Sequence, residues 1–277
     1  MMSGVDFRTM QPDELAVALE WAAEEGWNPG LDDAEVFWHS DPQGFFLAEA
    51  EGRPVAAISV VNHSTDFAFL GLYLCLPEFR GKGIGYRLWQ HALNHAGERT
   101  VGLDGVPDQQ ANYRKSGFDL TGQTYRFLGD VEGHMSAELR NVNQSDLSAL
   151  IRLDSDANGY AKPAFLRNWL VDTPTRKTLV LGDEPRGYAT IRACRSGHKI
   201  GPVVAPTLKD AEALIRGVVQ VAQAQEVMID VPDDCAPLMN FCQATDMTVT
   251  FNTARMYRGA APKPGELLRS IATMELG

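Results

Sequence analysis

Arg80-Gly81-Lys82-Gly83-Ile84-Gly85 joins an apolar run, Leu72–Leu76, to a segment with apolar residues at helical spacing. Three alternating glycines let successive backbone N–H groups turn into one concavity that β-carbons would obstruct. The helix that follows adds its unpaired first-turn N–H groups and the positive end of its dipole. Arg80 and Lys82 bring two cations to the same place. Together these features predict a cradle for a pyrophosphate. Neither of the two commonest phosphate loops fits. G-x-x-x-x-G-K-[ST] is absent, and G-x-G-x-x-G fails at Tyr86, where its third glycine would stand.

The loop matches R/Q-x-x-G-x-G/A, and in this it resembles the acyl-CoA pyrophosphate motif of the GNAT family of N-acetyltransferases. The order of strand, loop, helix, strand and helix is similar to that family over the whole first half. Its ending, Tyr113-Arg114-Lys115-Ser116-Gly117-Phe118, resembles the family's second signature, whose tyrosine lies beside the CoA sulfur. Three further stretches resemble a two-domain bacterial subgroup: Gly26-Trp27-Asn28-Pro29-Gly30, Leu103-Asp104-Gly105-Val106 with Gln109-Gln110, and Ala254-Arg255-Met256-Tyr257-Arg258-Gly259. The resemblance implies acetyl-CoA as co-substrate and no metal. It assigns CoA binding to Leu74, Cys75, Leu76, Arg80, Gly81, Lys82, Gly83, Ile84, Gly85 and Asn112, and proton donation to the leaving thiolate to Tyr113. Backbone N–H groups around Leu74–Leu76 would stabilise the oxyanion. One departure is Val106, which stands where many members carry an asparagine. The base that takes the amine proton is left open among Glu25, Asp32, Asp33, Glu35, His63 and Asp66.

The elements that must position these residues read as an alternation of strands and helices. Val5–Arg8 is a predicted strand, and Leu15, Ala18, Leu19 and Ala22 give the following segment a helical period. A short helix is expected around Asp33–His39, a hairpin over Phe45–Ala50 and Pro54–Asn62, and a long strand at Phe67–Leu76. The helix after the loop runs to about Ala96, followed by strand Val101–Asp104, helix Gln109–Ser116 and strand Thr124–Leu128. The same order recurs about 130 residues later. Phe7-Arg8 returns as Leu139-Arg140, Val55–Ile58 as Tyr188–Ile191, Leu76-Pro77 as Ala205-Pro206, Leu103-Asp104 as Ile229-Asp230, and Asn112-Tyr113 as Asn240-Phe241. Such order at nearly constant spacing predicts a duplicated domain. The expected fold class is α/β (α+β), with two tandem GNAT-like domains over residues 1–131 and 134–277. Each is expected to hold a mixed, mostly antiparallel twisted sheet flanked by helices.

The second copy has lost the chemistry. Lys209-Asp210-Ala211-Glu212-Ala213-Leu214 replaces the glycine loop, and Phe241 replaces Tyr113. The 134–277 domain is therefore expected not to bind CoA in this way. It would serve as one wall of the acceptor cleft, as a ligand sensor or as a stabilising partner. Its Arg192, Arg195, His198 and Lys199 form a basic cluster that could meet an acidic group on a substrate.

Composition bounds the partners. The 277 residues carry 25 basic and 36 acidic side chains, a net charge of −11, which argues against an extended nucleic-acid or anionic-membrane face. No apolar run approaches a membrane span, no signal peptide is legible, and four sparse cysteines suit a reduced cytoplasmic protein. His91 and His95 share a helix face without the glutamate or third ligand of a zinc site. Cys75 has no paired histidine and is expected to pack, and no G-x-S-x-G elbow exists. The reading is an N-acetyltransferase acting on a primary amine of a small molecule, as a monomer or weak homodimer. Its rival is an acyl-CoA-binding sensor that transfers nothing.

Overall fold

The computed structural model describes residues 4–277. The first half comprises β1 (Val5–Thr9), α1 (Pro12–Glu24), α2 (Asp33–Ser40), β2 (Phe45–Ala50), β3 (Arg53–Asn62), β4 (Phe67–Cys75), α3 (Ile84–Leu93), β5 (Thr100–Gly105), α4 (Gln110–Lys115) and β6 (Asp119–Asp130). The second half runs through β7 (Leu139–Asn141), α5 (Leu147–Asn158), α6 (Pro163–Trp169), β8 (Arg176–Leu181), β9 (Gly187–Ala193), β10 (His198–Val204) and α7 (Leu208–Ala222). It ends with β11 (Glu226–Pro232), α8 (Ala236–Ala244), β12 (Thr248–Arg258) and β13 (Leu268–Ser270).

Local sequence accounts for most of these elements. Pro12 opens α1, the Glu14 carboxylate accepts from the Gln11 backbone N–H at 2.7 Å, and Leu15, Ala18, Leu19 and Ala22 form its buried face. Glu51 and Gly52, both at positive φ, turn β2 into β3. Val55 to Val61 of β3 are buried without alternation, as expected of a strand covered on both faces.

The two halves share one mixed sheet in the order β1-β2-β3-β4-β5-β12-β6-β11-β10-β9-β8-β7, with β13 beside β10. Only β4–β5 and β10–β11 are parallel. The last strand of each half is exchanged: β12 pairs with β5 of the first half, and β6 pairs with β11 of the second. β6 and β12 then pair with each other at the centre. Two buried ion pairs lock the exchange. Arg126 on β6 grips Asp230 on β11 through Nε (2.7 Å) and Nη2 (2.8 Å), and Arg255 on β12 grips Asp104 on β5 at 2.9 and 2.7 Å. These pairs are copies of one another, as the duplication requires.

One face of the sheet carries a core common to both halves, in which Leu15, Leu19 and Phe37 pack with Leu150, Phe165 and Trp169. On the other face, α3 covers the first half through Ile84, Leu88 and Trp89, and α7 covers the second through Leu214, Ile215 and Val218. The segment after β13 is also buried, from Ile271 to Gly277. It passes so close to two glycines that a β-carbon on Gly71 would lie 1.9 Å from the Glu275 carbonyl oxygen, and one on Gly201 2.2 Å from that of Ile271.

Candidate functional site

β4 and β5 are paired only from Phe67–Leu70 against Thr100–Leu103, and beyond that point they separate into a fork. On its other edge β4 carries a bulge, with Leu72 and Tyr73 opposite the single residue Ile58 and Leu72 at φ 46. Regular alternation resumes after the bulge. The Leu76 N–H donates to the Val55 carbonyl at 3.0 Å, so Leu74 also faces β3 and the Cys75 N–H turns toward the fork. The expected oxyanion window of Leu74–Leu76 thus narrows to one donor. Burial pushes the Cys75 thiol up, which keeps it a thiol rather than a nucleophilic thiolate.

The loop after β4 reaches α3 through Gly81 at φ 74 and Gly83 at φ 75, a conformation that costs a residue with a β-carbon about 1–2 kcal/mol. Gly83 is the N-cap of α3 and supplies no side-chain acceptor, so the first turn of the helix is uncapped. Its copy contrasts with it. α7 is capped by Thr207, whose hydroxyl accepts from the Asp210 N–H at 3.1 Å, and Asp210 also pairs with Arg186. Arg80 donates to the Cys75 carbonyl at 2.8 Å and pairs with Glu25 at 2.5 Å. Both side chains of that pair are about half exposed, so it is worth at most about 1 kcal/mol and is readily exchanged for a phosphate. Lys82 lies over the Phe79 ring, 5.1 Å from its centroid.

Three hollows meet at the fork. A cleft of about 570 Å³ is lined by Leu74, Cys75 and the loop residues Arg80, Gly81, Gly83, Ile84 and Gly85. A second, of about 840 Å³, lies between α3 and α4 and is lined by Trp89, Asn112 and Tyr113. A small cavity of about 70 Å³ sits inside the fork among Leu70, Leu72, Leu103 and Met274. Tyr73 and Gln109 line all three. Tyr113 is stacked on Trp89 (centroids 5.2 Å apart, planes 15°) and fits against Gly105, where a β-carbon would come within 2.7 Å of its ring. Burial pushes the Tyr113 phenol well above its ordinary value and that of Tyr73 up to about 12, so both hydroxyls stay protonated. Asn112 donates to the Gln109 carbonyl oxygen at 3.0 Å.

The five carboxylates and one histidine considered as bases are scattered. Glu25 borders the cleft but is held by Arg80. Asp32 and Asp33 pair with Arg176, and Asp33 with Arg192 as well; burial works against the Asp33 carboxylate, yet the two guanidiniums hold it below the usual range. Asp66 accepts from Ser64. His63 is buried with Nε2 donating to the Leu276 carbonyl at 2.7 Å. Glu35 lies outside all three hollows. Three of the four basic residues of the second half's cluster are spoken for too, His198 being the exception. Arg192 meets Asp33, Lys199 donates to the Trp27 carbonyl at 2.8 Å, and Arg195 pairs with Glu20. His95 Nε2 lies 2.7 Å from the Asp41 carboxylate, and His91 packs on Phe7 and Phe46.

Sequence reasoning missed the residues that the second half delivers to the fork. Phe251, Thr253, Met274 and Glu275 line its cavity together with Arg126. No local pattern marks them, because Phe251 and Thr253 arrive on the exchanged strand β12 and Met274 and Glu275 in the segment after β13. The second half's own fork is filled by its own chain. β13 pairs along β10, and the Ile271 N–H donates to the Asp230 carbonyl of β11 at 3.1 Å.

The forked parallel pair is built twice, one fork open beside an uncapped, glycine-entered helix and the other closed beside a capped one. Known proteins carry the same frame. A profile described as "Acetyltransferase (GNAT) family" matches residues 13–118, and one described as "Acetyltransferase (GNAT) domain" matches residues 150–267. The chain is 34% identical over 271 residues to a holothin acyltransferase of Pseudoalteromonas sp. (strain SANK 73390), covering 96% of this chain and 92% of that protein. It shares its fold with a proposed acetyltransferase from Pyrococcus horikoshii (TM-score 0.84, 18% identity, covering 100% of this chain and 97% of that one). A tandem GNAT protein from the clavulanic acid biosynthesis pathway is also similar (TM-score 0.63, 15% identity, 95% of this chain and 100% of that one). The chain belongs to the GNAT family of acetyltransferases, with two copies of the fold in tandem.

Proposed function

We propose that this acyltransferase moves an acetyl group from acetyl-CoA to a primary amine of a small molecule, with the chemistry in the first half. The observation that carries the reading is the uncapped helix α3 at the mouth of an open fork, against a capped helix and a filled fork in the copy. The CoA pyrophosphate would lie on the N–H groups of Gly81–Gly85 with Arg80 and Lys82 beside it, and the thioester would reach the fork between Cys75 and Tyr113. The neutral amine nitrogen attacks the thioester carbon, and the oxygen gains charge beside the Cys75 N–H. The C–S bond then breaks. Tyr113 gives its proton to the departing sulfur and regains one from the amine through water. The cleft between the halves, bordered by Trp27, Asn28 and Phe251, offers the amine its approach. Because both exchanged strands are satisfied within one chain, a monomer suffices.

Thiol release from acetyl-CoA is the direct test, with holothin first among a panel of small amines, amino acids and peptides. Release that depends on an amine supports transfer. CoA binding without release for any acceptor would favour a sensor instead. That outcome has its own physical basis, since Glu25, which borders the loop, is held by Arg80.

A further inference from the structure

We infer that Met274, brought in by the second half, sets the length of acyl chain this enzyme accepts, with a limit near four carbons. The inference rests on the proposed acyl-CoA site, because the fork cavity continues inward from where the thioester would lie. That cavity holds about 70 Å³. At about 15–30 Å³ for each water-sized group, it takes roughly two to five heavy atoms. Leu70, Leu72 and Leu103 supply apolar walls from the first half, and Met274 supplies the apolar wall from the second.

That wall is fixed rather than loose. The Met274 sulfur accepts from Arg126 Nη2 at 3.5 Å, and Arg126 is itself gripped by Asp230 and donates to the Trp27 carbonyl. Gly71 holds the Glu275 backbone against β4, so the segment cannot retreat without unpacking. Asp104 and Arg126, each in a buried ion pair, also stand in the cavity wall, and apolar carbons of a longer chain cannot satisfy them. Length is therefore limited twice, by volume and by polarity.

Calorimetric titration of the full chain with acetyl-, butyryl-, hexanoyl- and octanoyl-CoA reads this without any acceptor. Acetyl and butyryl thioesters should bind within about threefold of each other, and hexanoyl and octanoyl at least about tenfold more weakly. Met274→Ala should bring hexanoyl-CoA to within about threefold of acetyl-CoA, whereas Met274→Leu, of similar volume, should keep the limit. Should Met274→Ala fail to fold in a thermal melt, Met274→Phe tests the opposite direction: acetyl-CoA is retained and butyryl-CoA is lost. Octanoyl-CoA binding as tightly as acetyl-CoA to the unaltered protein would overturn the inference, as would an unchanged limit in a folded Met274→Ala protein. Both results leave the CoA site standing. Failure of every acyl-CoA to bind would instead remove the proposed function, and this inference with it.

Discussion

Tyr113 and Tyr73 are two phenols at one junction, and their surroundings divide the work between them. Tyr113 faces both the α3–α4 cleft and the fork, whereas a β-carbon on Gly85 would lie 2.6 Å from the Tyr73 hydroxyl, at the helix entry. Tyr113→Phe should lower kcat by about 10²-fold or more while the KM for acetyl-CoA moves less than about threefold. Steady-state rates settle it, and an equal loss in both constants would sink the acid assignment. His63 makes a different kind of prediction, about pH and stability. Burial carries its pKa down from the ordinary 6.5 to about 4, against the Leu276 carbonyl that favours the proton. The unfolded chain therefore binds the proton first, and stability falls as pH drops from 6.5 toward 4, by roughly 3 kcal/mol in all. Urea melts across that window should lose this slope in His63→Gln; a slope that persists means other groups produce it.

At the scale of elements, the entry to α3 is the feature that distinguishes the two copies. A helix whose N-cap threonine already takes a first-turn N–H and whose first turn carries an aspartate is a poorer anion site, and α7 is such a helix. Gly83→Glu places a carboxylate on the uncapped turn and forces a side chain into the left-handed region. It should weaken acetyl-CoA binding at least about tenfold, with Lys209→Glu at the exposed start of α7 as the silent partner. Isothermal titration of both proteins decides it, and equal losses would mean that the site has been misplaced. The loop and its helix were legible because their signals are local: three glycines, two cations and a helical period. The β4 bulge was not. It changed which backbone N–H faces the fork by two residues opposing one, a displacement that no side-chain type at Leu72 or Tyr73 announces.

At the scale of the whole molecule, the halves are not independent bodies. β5 without β12 presents an open edge, and β6 without β11 has lost the partner of its central residues. Residues 1–131 expressed alone should aggregate or stay unfolded, and should become soluble when 132–277 is co-expressed. A monodisperse, folded 1–131 fragment would contradict the exchange. The Arg255–Asp104 pair gives a quantitative version. Arg255→Met strands a buried carboxylate and should cost about 3–5 kcal/mol in urea unfolding, most of which Asp104→Leu added to it should restore. If the double variant is no better than the single, the cost lies in packing rather than in the uncompensated charge.

Duplication, the glycine loop of one copy and its replacement in the other were legible from residue type and spacing alone, since each is a local pattern. Which strand closes which half was not legible from residue type. β6 and β12 occupy corresponding places in the two halves, and each carries an arginine that faces the aspartate of the strand it joins in the other half. Tertiary structure decided in favour of exchange. The same decision brought Met274 and Glu275 into the first fork and closed the second with β13. Arg80–Gly85 marks the site by local chemistry, while its inner wall is built by residues nearly two hundred positions away, and only packing of the complete sheet brings the two together.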